Sequence, residues 1–223
     1  MGTCLLVTPT VAEYRAVQPA VADLLGGGEL ALEMCGMGPE RAEALCRRLE
    51  TRVPPVASLA LVGWAGGLDA GLAAGDILLA NAALDSQGHR APCTTLAVPG
   101  AMTGPMLTLP TPLLTPAQKD AWRASGAMAV EMEAYPLAAW AAARGLRFVH
   151  ARVILDAPGE TVPDLADTLD DFGRMRLGRL AVRLVAQPAR IPSWLRFAQR
   201  AKTLAPVLAG LARLVATDQD ALA

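Results

Sequence analysis

Aromatic, histidine and cysteine residues are scarce in this chain of 223 residues. It has three Phe, four Trp and two Tyr, so few rings are available to stack on nucleic-acid bases. The two histidines and four cysteines form no C-x-x-C pair and no cluster with metal-ligand spacing, and no G-x-x-x-x-G-K-[ST] phosphate loop is present. We therefore expect reduced and mostly buried cysteines, no metal, no cofactor and no nucleic-acid partner.

Acidic residues are missing between Arg174 and Arg213, a stretch that carries nine positive charges. The net charge of the whole chain is -1, so the remaining residues together carry -10. A segment of this kind is usually the solvated face of a helix, and it can also be attracted to an anionic membrane. We favour a packed C-terminal helix with a solvated basic face and keep peripheral membrane contact as the alternative.

The C-terminal tail has an amphipathic pattern. Its apolar residues recur at helical spacing at Ile191, Trp194, Leu195, Ala198, Ala205, Leu208, Leu211 and Val215. Pro206 falls inside this pattern and is expected to break or kink the helix. We divide the chain into a main domain over residues 1–187 and a basic helical tail over residues 188–223.

Targeting and membrane-spanning signals are not apparent. The N-terminus has the pattern of a strand and lacks a basic region, so we predict no signal peptide. The longest uncharged run, residues 91–117, contains six prolines and cannot form a membrane-spanning helix. We expect a soluble, cytoplasmic protein.

Short apolar runs alternate with segments of helical spacing along the chain. The predicted strands are Cys4–Thr8, Leu30–Met34, Leu59–Val62, Asp76–Ala80, Met106–Leu109, Ala129–Met132 and Arg147–Leu155. Most of them are uniformly apolar, as in strands buried on both faces. The sequence therefore predicts a single α/β domain with a mixed, mostly parallel central sheet flanked by helices.

Polar or glycine residues follow five of these strands. They are Glu13, Gly36, Gly66, Glu133 and Asp156. In open α/β sheets, ligands bind beyond the carboxyl ends of the strands, so these residues predict one pocket there. The alternative is that these turns simply need Gly and Asp, and spacing alone does not decide between the two.

Four motifs occur in order along the chain. They are G-M-G-P-E-R-A at residues 36–42, G-W-A-G-G-L with G-D-I at residues 63–68 and 75–77, V-E-M-E-A at residues 130–134, and F-V-H-A-R-V-I-L-D at residues 148–156. In this order they resemble the motifs of the nucleoside phosphorylase and nucleosidase superfamily, and the last two are most similar to those of methylthioadenosine/S-adenosylhomocysteine nucleosidases. The resemblance implies cleavage of the N-glycosidic bond of a purine nucleoside-like substrate, and a homodimer.

Within the superfamily, the chain resembles the hopanoid-associated branch, thought to release adenine from adenosylhopane. Three features carry this likeness: a short segment between Ala80 and Thr115, the L-T-P-A-Q-K start of a helix at residues 114–119, and the basic tail. The substrate implied is a lipid-linked nucleoside. A conventional purine nucleoside or a methylthioadenosine-type substrate is the alternative.

The resemblance also implies roles for individual residues. Asp156 corresponds to the acid that protonates the leaving purine, and Glu13 to the base that activates water. Glu133 corresponds to the ligand of the ribose hydroxyls, Met132 would pack on the sugar face, and Glu131 projects to the same side as Glu133. From spacing alone, Asp156 could instead cap a helix or pair with Arg152, and Glu13 could be a solvated helix charge.

The nucleophile is the main open question. Gly66 and Gly67 would let the backbone approach the ribose or the nucleophile, which is water or phosphate. Leu61, Val62 and Trp64 stand where superfamily phosphorylases carry an Arg and a Ser that hold phosphate, so we favour hydrolysis. Leu155 replaces a Ser that commonly lies beside the acid, which leaves the support of Asp156 open. A non-catalytic nucleoside-binding module is the alternative of a different class.

Overall fold

The computed structural model describes residues 2–218. The strands are β1 (Thr3–Thr8), β2 (Leu30–Met34), β3 (Val56–Gly67), β4 (Ile77–Leu84), β5 (Arg90–Pro92), β6 (Met102–Thr108), β7 (Ala129–Glu131) and β8 (Arg147–Asp156). The helices are α1 (Val11–Val21), α2 (Pro39–Leu49), α3 (Pro116–Asp120), α4 (Ala134–Ala142), α5 (Leu177–Ala186) and α6 (Ile191–Thr217). Short 3₁₀ turns occupy Leu25–Gly27, Arg123–Ser125, Ala166–Thr168 and Pro188–Arg190.

The eight strands form one mixed sheet that closes partly on itself. Its order is β2-β1-β3-β7-β6-β4-β5, and β8 pairs with both β3 and β4. The strands β3, β8, β4, β6 and β7 therefore form a closed ring, with β1 and β2 extending from β3. Five pairings are parallel, and β3–β7, β4–β5 and β4–β8 are antiparallel. The predicted α/β domain with a mixed, mostly parallel sheet is confirmed.

Helices cover both faces of this sheet because alternate residues of the buried strands are apolar on each side. On one face, Val17 of α1 and Leu208 of α6 pack with Ala151 and Val153 of β8. On the other face, α2 and α4 pack over Phe148, the neighbour of Val149 on the same strand. The two faces explain why β1, β3 and β8 have the continuous apolar sequences of strands buried on both sides.

The strand β3 is longer than its apolar run predicted. The prediction ended a strand at Val62 and placed the following glycines in a turn, but β3 continues to Gly67. Its glycine-rich half pairs with β8 as far as Gly66 and then with β7. Gly66 and Gly67 thus lie within a strand rather than after one, because two neighbouring strands supply partners that local sequence does not reveal. The short edge strand β5 was not predicted.

The C-terminal helix α6 belongs to the core. Trp194, Leu208, Leu211 and Val215 are buried, and the helix packs against α1 and β8. The expected break at Pro206 does not occur, since α6 runs through it from Ile191 to Thr217. Pro206 is exposed, so the carbonyl left without its usual backbone donor lies near solvent.

The boundary proposed between residues 187 and 188 falls just after α5, at the turn that leads into α6. Residues 219–223 of the proposed tail lie outside the described part of the chain. Between residues 2 and 218, no helix combines the length and apolarity needed to cross a membrane.

We predict that Leu208→Ala lowers the free energy of unfolding by about 2–5 kcal/mol, because it leaves a cavity between α6 and β8. The matched control is Leu195→Ala on the same helix, since Leu195 is 66% exposed and its loss should change stability by less than about 0.5 kcal/mol. Urea denaturation followed by circular dichroism measures both. Equal stability of the two variants would mean that α6 does not contribute to the core.

Candidate active site

The guanidinium of Arg152 is the centre of a buried cluster of charges. Arg152 lies in the middle of β8 and is fully buried. Its Nη2 donates to Glu131 Oε2 at 2.5 Å and to Glu133 Oε2 at 3.1 Å. Its Nη1 is 3.9 Å from Oε1 of Glu13, and its Nε donates to the ring of His150 at 2.9 Å. One cation thus joins residues from α1, β7, α4 and β8.

The carboxylate of Glu131 already has a full set of partners. It accepts hydrogen bonds from the Thr108 hydroxyl at 2.5 Å and from the backbone N–H groups of Glu133 and Ala134 at the start of α4. With the bond from Arg152, both oxygens are engaged. Glu131 therefore fixes the end of β7, the N-terminus of α4 and the guanidinium relative to one another.

Glu13 is placed by the helix that it caps. Thr10 precedes α1, and its hydroxyl accepts from the Glu13 N–H while Glu13 Oε2 accepts from the Thr10 N–H at 2.8 Å. This reciprocal capping box turns the carboxylate back toward the sheet. There Oε1 accepts from the backbone N–H of Trp64 at 2.8 Å. Glu13 is 3% exposed, so it is not the solvated helix charge that spacing alone allowed.

Gly63 makes room for the contact between Glu13 and Arg152. Gly63 pairs with Arg152 in the parallel register of β3 and β8. A Cβ on Gly63 would overlap both Arg152 Nη1 and Glu13 Oε1. The first glycine of the G-W-A-G-G-L motif is therefore required by the close packing of two charged side chains.

Glu133 retains more free hydrogen-bonding capacity than Glu131. It is the N-cap residue of α4, and its Oε1 accepts from the Gly38 N–H at 2.9 Å, while Oε2 accepts from Arg152. Each oxygen thus has one protein partner and a lone pair left for a ligand. The neighbouring Met132 is half-buried. The G-M-G turn after β2, which includes Gly36, contacts the site through the hydrogen bond from Gly38 to Glu133.

Asp156 ends β8 and pairs with Lys119, not with Arg152. The Lys119 ammonium donates to Asp156 Oδ2 and, at 2.7 Å, to the carbonyl of Ala157. The alternative that spacing suggested, a pair between Asp156 and Arg152, is therefore wrong. The guanidinium of Arg152 pairs with glutamates four residues back along β8. Across from Asp156 lies Gly66, where an added Cβ would come within 3.1 Å of Asp156 Oδ2.

Gly67 makes a similar close approach just beyond the end of β8. An added Cβ there would lie 3.2 Å from Pro158 Cδ and 3.3 Å from the Asp156 carbonyl oxygen. Both glycines, Gly66 and Gly67, thus let β3 run close to the chain around Asp156.

The two groups of polar residues are arranged along one strand. Arg152 and Asp156 are four residues apart in β8, a separation of about 13 Å at roughly 3.3 Å per residue. Glu13, Glu131 and Glu133 gather at the Arg152 end, and Lys119 lies at the Asp156 end. The structure thus brings Glu13, Glu131 and Glu133 into one cluster and places Asp156 farther along the strand.

Burial changes the acidity of these carboxyl groups. Burial raises the pKa of Glu13, against the opposing effects of Arg152 and the Thr10 hydrogen bonds. Burial also raises the pKa of Glu133, with the charge of Glu131 acting in the same direction against Arg152. The pKa of Glu131 is lowered, because Arg152, His150 and Thr108 together outweigh its burial. Burial raises the pKa of Asp156 in spite of the Lys119 ammonium.

The two histidines differ in environment. His150 is fully buried and burial lowers its pKa to about 3, so it is neutral and accepts from Arg152. It is the hydrogen-bonded core histidine that its position in an apolar strand predicts. His89 has an exposed ring that bonds Asp85 at 2.8 Å.

Two residues of the site were missed from the sequence. Arg152 was considered only as a partner of Asp156, although an Arg within a uniformly apolar strand is itself a signal of a buried ion pair. Lys119 was noted only within the L-T-P-A-Q-K segment. Its pairing with Asp156, 37 positions away, has no local signal.

The chain belongs to the phosphorylase superfamily, whose family model matches residues 5–102 and 92–186. Membership supports an enzyme that cleaves N-glycosidic bonds of nucleosides. A search among curated proteins finds no match.

Solved structures with the same fold include several nucleosidases. A protein of Francisella philomiragia assigned as a 5′-methylthioadenosine/S-adenosylhomocysteine nucleosidase is 16% identical, with a TM-score of 0.69 over 98% of this chain and 100% of that one. The corresponding Helicobacter pylori nucleosidase is 13% identical, with a TM-score of 0.68 over 98% of each chain. Futalosine hydrolase of Helicobacter pylori is 13% identical, with a TM-score of 0.64 over 96% of this chain and 97% of that one. At these identities the likeness concerns the fold.

We predict that Gly63→Ala displaces Glu13 or Arg152 and lowers kcat/KM on the nucleoside substrate by about 10²-fold, the effect of a misplacement near 1 Å. Gly210→Ala is the matched control, because a Cβ there meets no atom within 4 Å and lies in the helix α6. Steady-state kinetics with thermal unfolding measures both variants. Wild-type kcat/KM in a folded Gly63→Ala variant would show that the close approach has no role in the site.

Proposed function

We propose that the chain hydrolyses the N-glycosidic bond of a purine nucleoside-like substrate and that this substrate is adenosylhopane, from which adenine is released. One observation carries the proposal. A cluster of three glutamates around Arg152 and a separate buried acid, Asp156, lie along the same strand of a nucleosidase fold. Cleavage of this bond needs an acid for the base and anionic groups for the sugar and the water, and these two groups supply them.

Asp156 is the proposed acid for the leaving purine. A carboxyl group donates a proton at neutral pH only if its pKa is raised, and burial raises the pKa of Asp156. Protonation of N7 lets the base leave without negative charge. Gly66 and Gly67 allow β3 to pass close to this carboxyl, because a Cβ at either position would press on Asp156 or on the side chains packed around it.

Glu13 is the proposed base that activates water. Its raised pKa makes it a better proton acceptor near neutral pH than an ordinary glutamate, and its Oε1 lies 3.9 Å from Arg152 Nη1. That separation is too long for a direct hydrogen bond and suits a water bridging both groups. The water would be held by the guanidinium and give its proton to Glu13.

Glu133 is the proposed ligand of the ribose hydroxyls, since both its oxygens have a lone pair left. Burial favours its neutral form, but the adjacent Arg152 favours the carboxylate, and in that form Glu133 would also stabilise the oxocarbenium-like centre that forms as the bond breaks. Met132, half-buried beside it, would pack on the sugar. Glu131 was predicted to contact substrate, but its filled hydrogen-bond positions support a role in holding Arg152 and α4 instead.

Hydrolysis is favoured over phosphorolysis by charge. Among the described residues, Arg152 is the one arginine or lysine within 4 Å of Glu13, Glu131 or Glu133, and His150, 3.9 Å from Glu131, is neutral. One guanidinium that is already shared by three carboxyl groups offers little net positive charge to a phosphate dianion. Arg41 pairs with Asp171 and Arg15 is exposed, so neither supports a phosphate site. Phosphate as a co-substrate remains the second candidate.

The proposal that adenosylhopane is the substrate rests on the likeness of residues 114–119 and of the basic tail to the hopanoid-associated branch. A homodimer is proposed on the resemblance to the superfamily, and a cytoplasmic location on the absence of targeting signals in this sequence. A non-catalytic nucleoside-binding module is the competing proposal, and the buried Glu13, Glu133 and Asp156 together support catalysis over it.

We predict adenine release from adenosylhopane in detergent that does not depend on phosphate. Base release is followed by chromatography with adenosylhopane, methylthioadenosine, S-adenosylhomocysteine and inosine, each with and without phosphate. Strict dependence on phosphate would make the protein a phosphorylase and remove Glu13 as base. Release from methylthioadenosine alone would exclude the lipid substrate, and no release from any nucleoside would favour a binding module.

Asp156→Asn serves as the control for this assay. The side chain keeps its shape and loses the proton that it donates, so turnover of purine nucleosides should fall by about 10²–10⁴-fold while the fold is kept. Unchanged turnover would place the acid elsewhere.

Membrane contact is proposed for α5 rather than for α6, because the core covers Trp194, Leu208, Leu211 and Val215 of α6. On α5, Leu177 is 74% exposed, Val182 71% and Val185 85%. The exposed Arg176 and Arg179 lie beside them. Apolar side chains next to arginines on a solvent-facing helix fit the interface of an anionic membrane, where a lipid-linked substrate would reside.

We predict that the protein floats with vesicles containing phosphatidylglycerol and that Val182→Asp/Val185→Asp abolishes flotation. Val53→Asp is the matched control, because Val53 is 91% exposed at a distant loop and its replacement should not affect binding. Phosphatidylcholine vesicles test the charge dependence. Equal flotation of the double variant and the control would remove α5 as a membrane contact.

A further inference from the structure

Lys119 is a buried cation whose place in the fold is tightly controlled. Its side chain is 1% exposed, on a helix of five residues, α3. The start of α3 is fixed by a capping box in which Thr115 accepts from the Gln118 N–H, and Gln118 Oε1 accepts from the Thr115 N–H at 3.0 Å. This box aims the side chain across to the end of β8.

The ammonium of Lys119 engages one oxygen of Asp156. It donates to Oδ2 and to the Ala157 carbonyl, so the contact fixes both the carboxyl and the backbone that follows it. The hydrogen bond from Lys119 to the carboxyl group goes to Oδ2 and not to the other oxygen, Oδ1. A buried charge lowers the stability of the protein unless it is paired. The partner of the buried Lys119 is the proposed acid, Asp156.

A cation at this position opposes the effect of burial on Asp156. Burial favours the protonated carboxyl, while the Lys119 charge and hydrogen bond favour the carboxylate. An acid must hold its proton before the reaction and release it during the reaction. Burial serves the first requirement, and Lys119 serves the second, because it stabilises the carboxylate that proton transfer leaves behind.

We propose that Lys119 is a positioning residue of the glycosidase site, which holds Oδ2 of Asp156 so that Oδ1 faces the purine and which stabilises the carboxylate formed in the reaction. In this step the O–H bond at Oδ1 breaks, and its proton forms the N–H bond at purine N7. The electron pair of the glycosidic bond goes to the purine, which leaves neutral. Lys119 keeps its own protons throughout.

This inference rests on the proposed function. It identifies a residue that supports the acid Asp156 in place of the Ser that commonly lies beside it, a position that Leu155 occupies in this chain. Leu155 is apolar and precedes Asp156 on β8. Lys119 reaches the same carboxyl from α3. The residue that supports the acid is thus supplied by a different part of the chain.

The test compares two leaving groups in the variants Lys119→Gln and Lys119→Arg. Gln can donate to Oδ2 without a charge, and Arg retains the charge. The substrates are the purine nucleoside that the wild-type protein cleaves fastest and 4-nitrophenyl riboside, whose leaving group needs no proton. We expect Lys119→Gln to lose about 10²-fold in kcat on the purine nucleoside, a much smaller factor on 4-nitrophenyl riboside, and Lys119→Arg to recover part of the loss.

The pH profile supplies a second readout that a purely structural role would not change. Without the cation, Asp156 keeps its proton to higher pH, so in Lys119→Gln the alkaline limb of kcat/KM on the purine nucleoside should move to higher pH while the plateau falls. Lys202→Met removes an exposed positive charge from α6 and should leave rate and profile unchanged. Thermal unfolding verifies that each variant is folded.

Three outcomes would overturn the inference: equal loss on both leaving groups, wild-type rates in Lys119→Gln, or a pH profile that does not move. They differ from failure of the proposed function, in which the wild-type protein itself releases no base from any nucleoside.

Discussion

The ion cluster around Arg152 is the contact on which the geometry of the site depends. A guanidinium in the middle of a buried strand is tolerated only if it is paired, and here two glutamates and a neutral histidine accept from its Nη2 and Nε, while Glu13 lies 3.9 Å from its Nη1. The carboxylates come from the ends of different elements. Loss of the guanidinium would leave these carboxylates buried and unpaired, at a cost of about 3–5 kcal/mol. The cluster thus ties the ends of several strands into one rigid edge.

Burial and ion pairing have opposite effects on the pKa values of carboxyl groups at two places along β8, beside Arg152 and at Asp156. At the Arg152 end, three carboxyl groups share one cation, so some of them have raised and one has lowered pKa values. At the Asp156 end, one carboxyl has one cation to itself. The same two physical effects therefore give carboxyl groups of different acidity beside two separate places on β8. Under the proposed function, such a separation provides a base and an acid on the two sides of the bond that is cleaved.

Much of this arrangement could be predicted from local sequence. The strands β1, β2 and β8 have nearly continuous apolar runs, and the polar or glycine residues after the predicted strands indicated one pocket at that edge of the sheet. The roles of Glu13, Glu133 and Asp156 were implied by the family resemblance. Glu13 has a local signal in the Thr10 capping box. These features depend on residues within three or four positions of one another, which is the range over which sequence patterns carry information.

The rest depends on contacts between distant parts of the chain. The length of β3 is set by its pairing with β7 and β8, and Gly63 is needed because two charged side chains approach each other there. The partner of Asp156 comes from a short helix, α3, which carries Lys119. The apolar spacing of α6 could not distinguish a core face from a membrane face, since both need the same pattern. Only the packing on α1 and β8 decides it.

The capping box of α1 gives one side chain two duties. Glu13 accepts a hydrogen bond from the Thr10 N–H at the beginning of α1, and it also faces Arg152. Glutamine could perform the first duty but could not take a proton, and aspartate would be a methylene too short to reach both Thr10 and Trp64. The stability of α1 and the geometry of the charged cluster therefore depend on the same carboxyl group, so a substitution of Glu13 that disturbs one also disturbs the other.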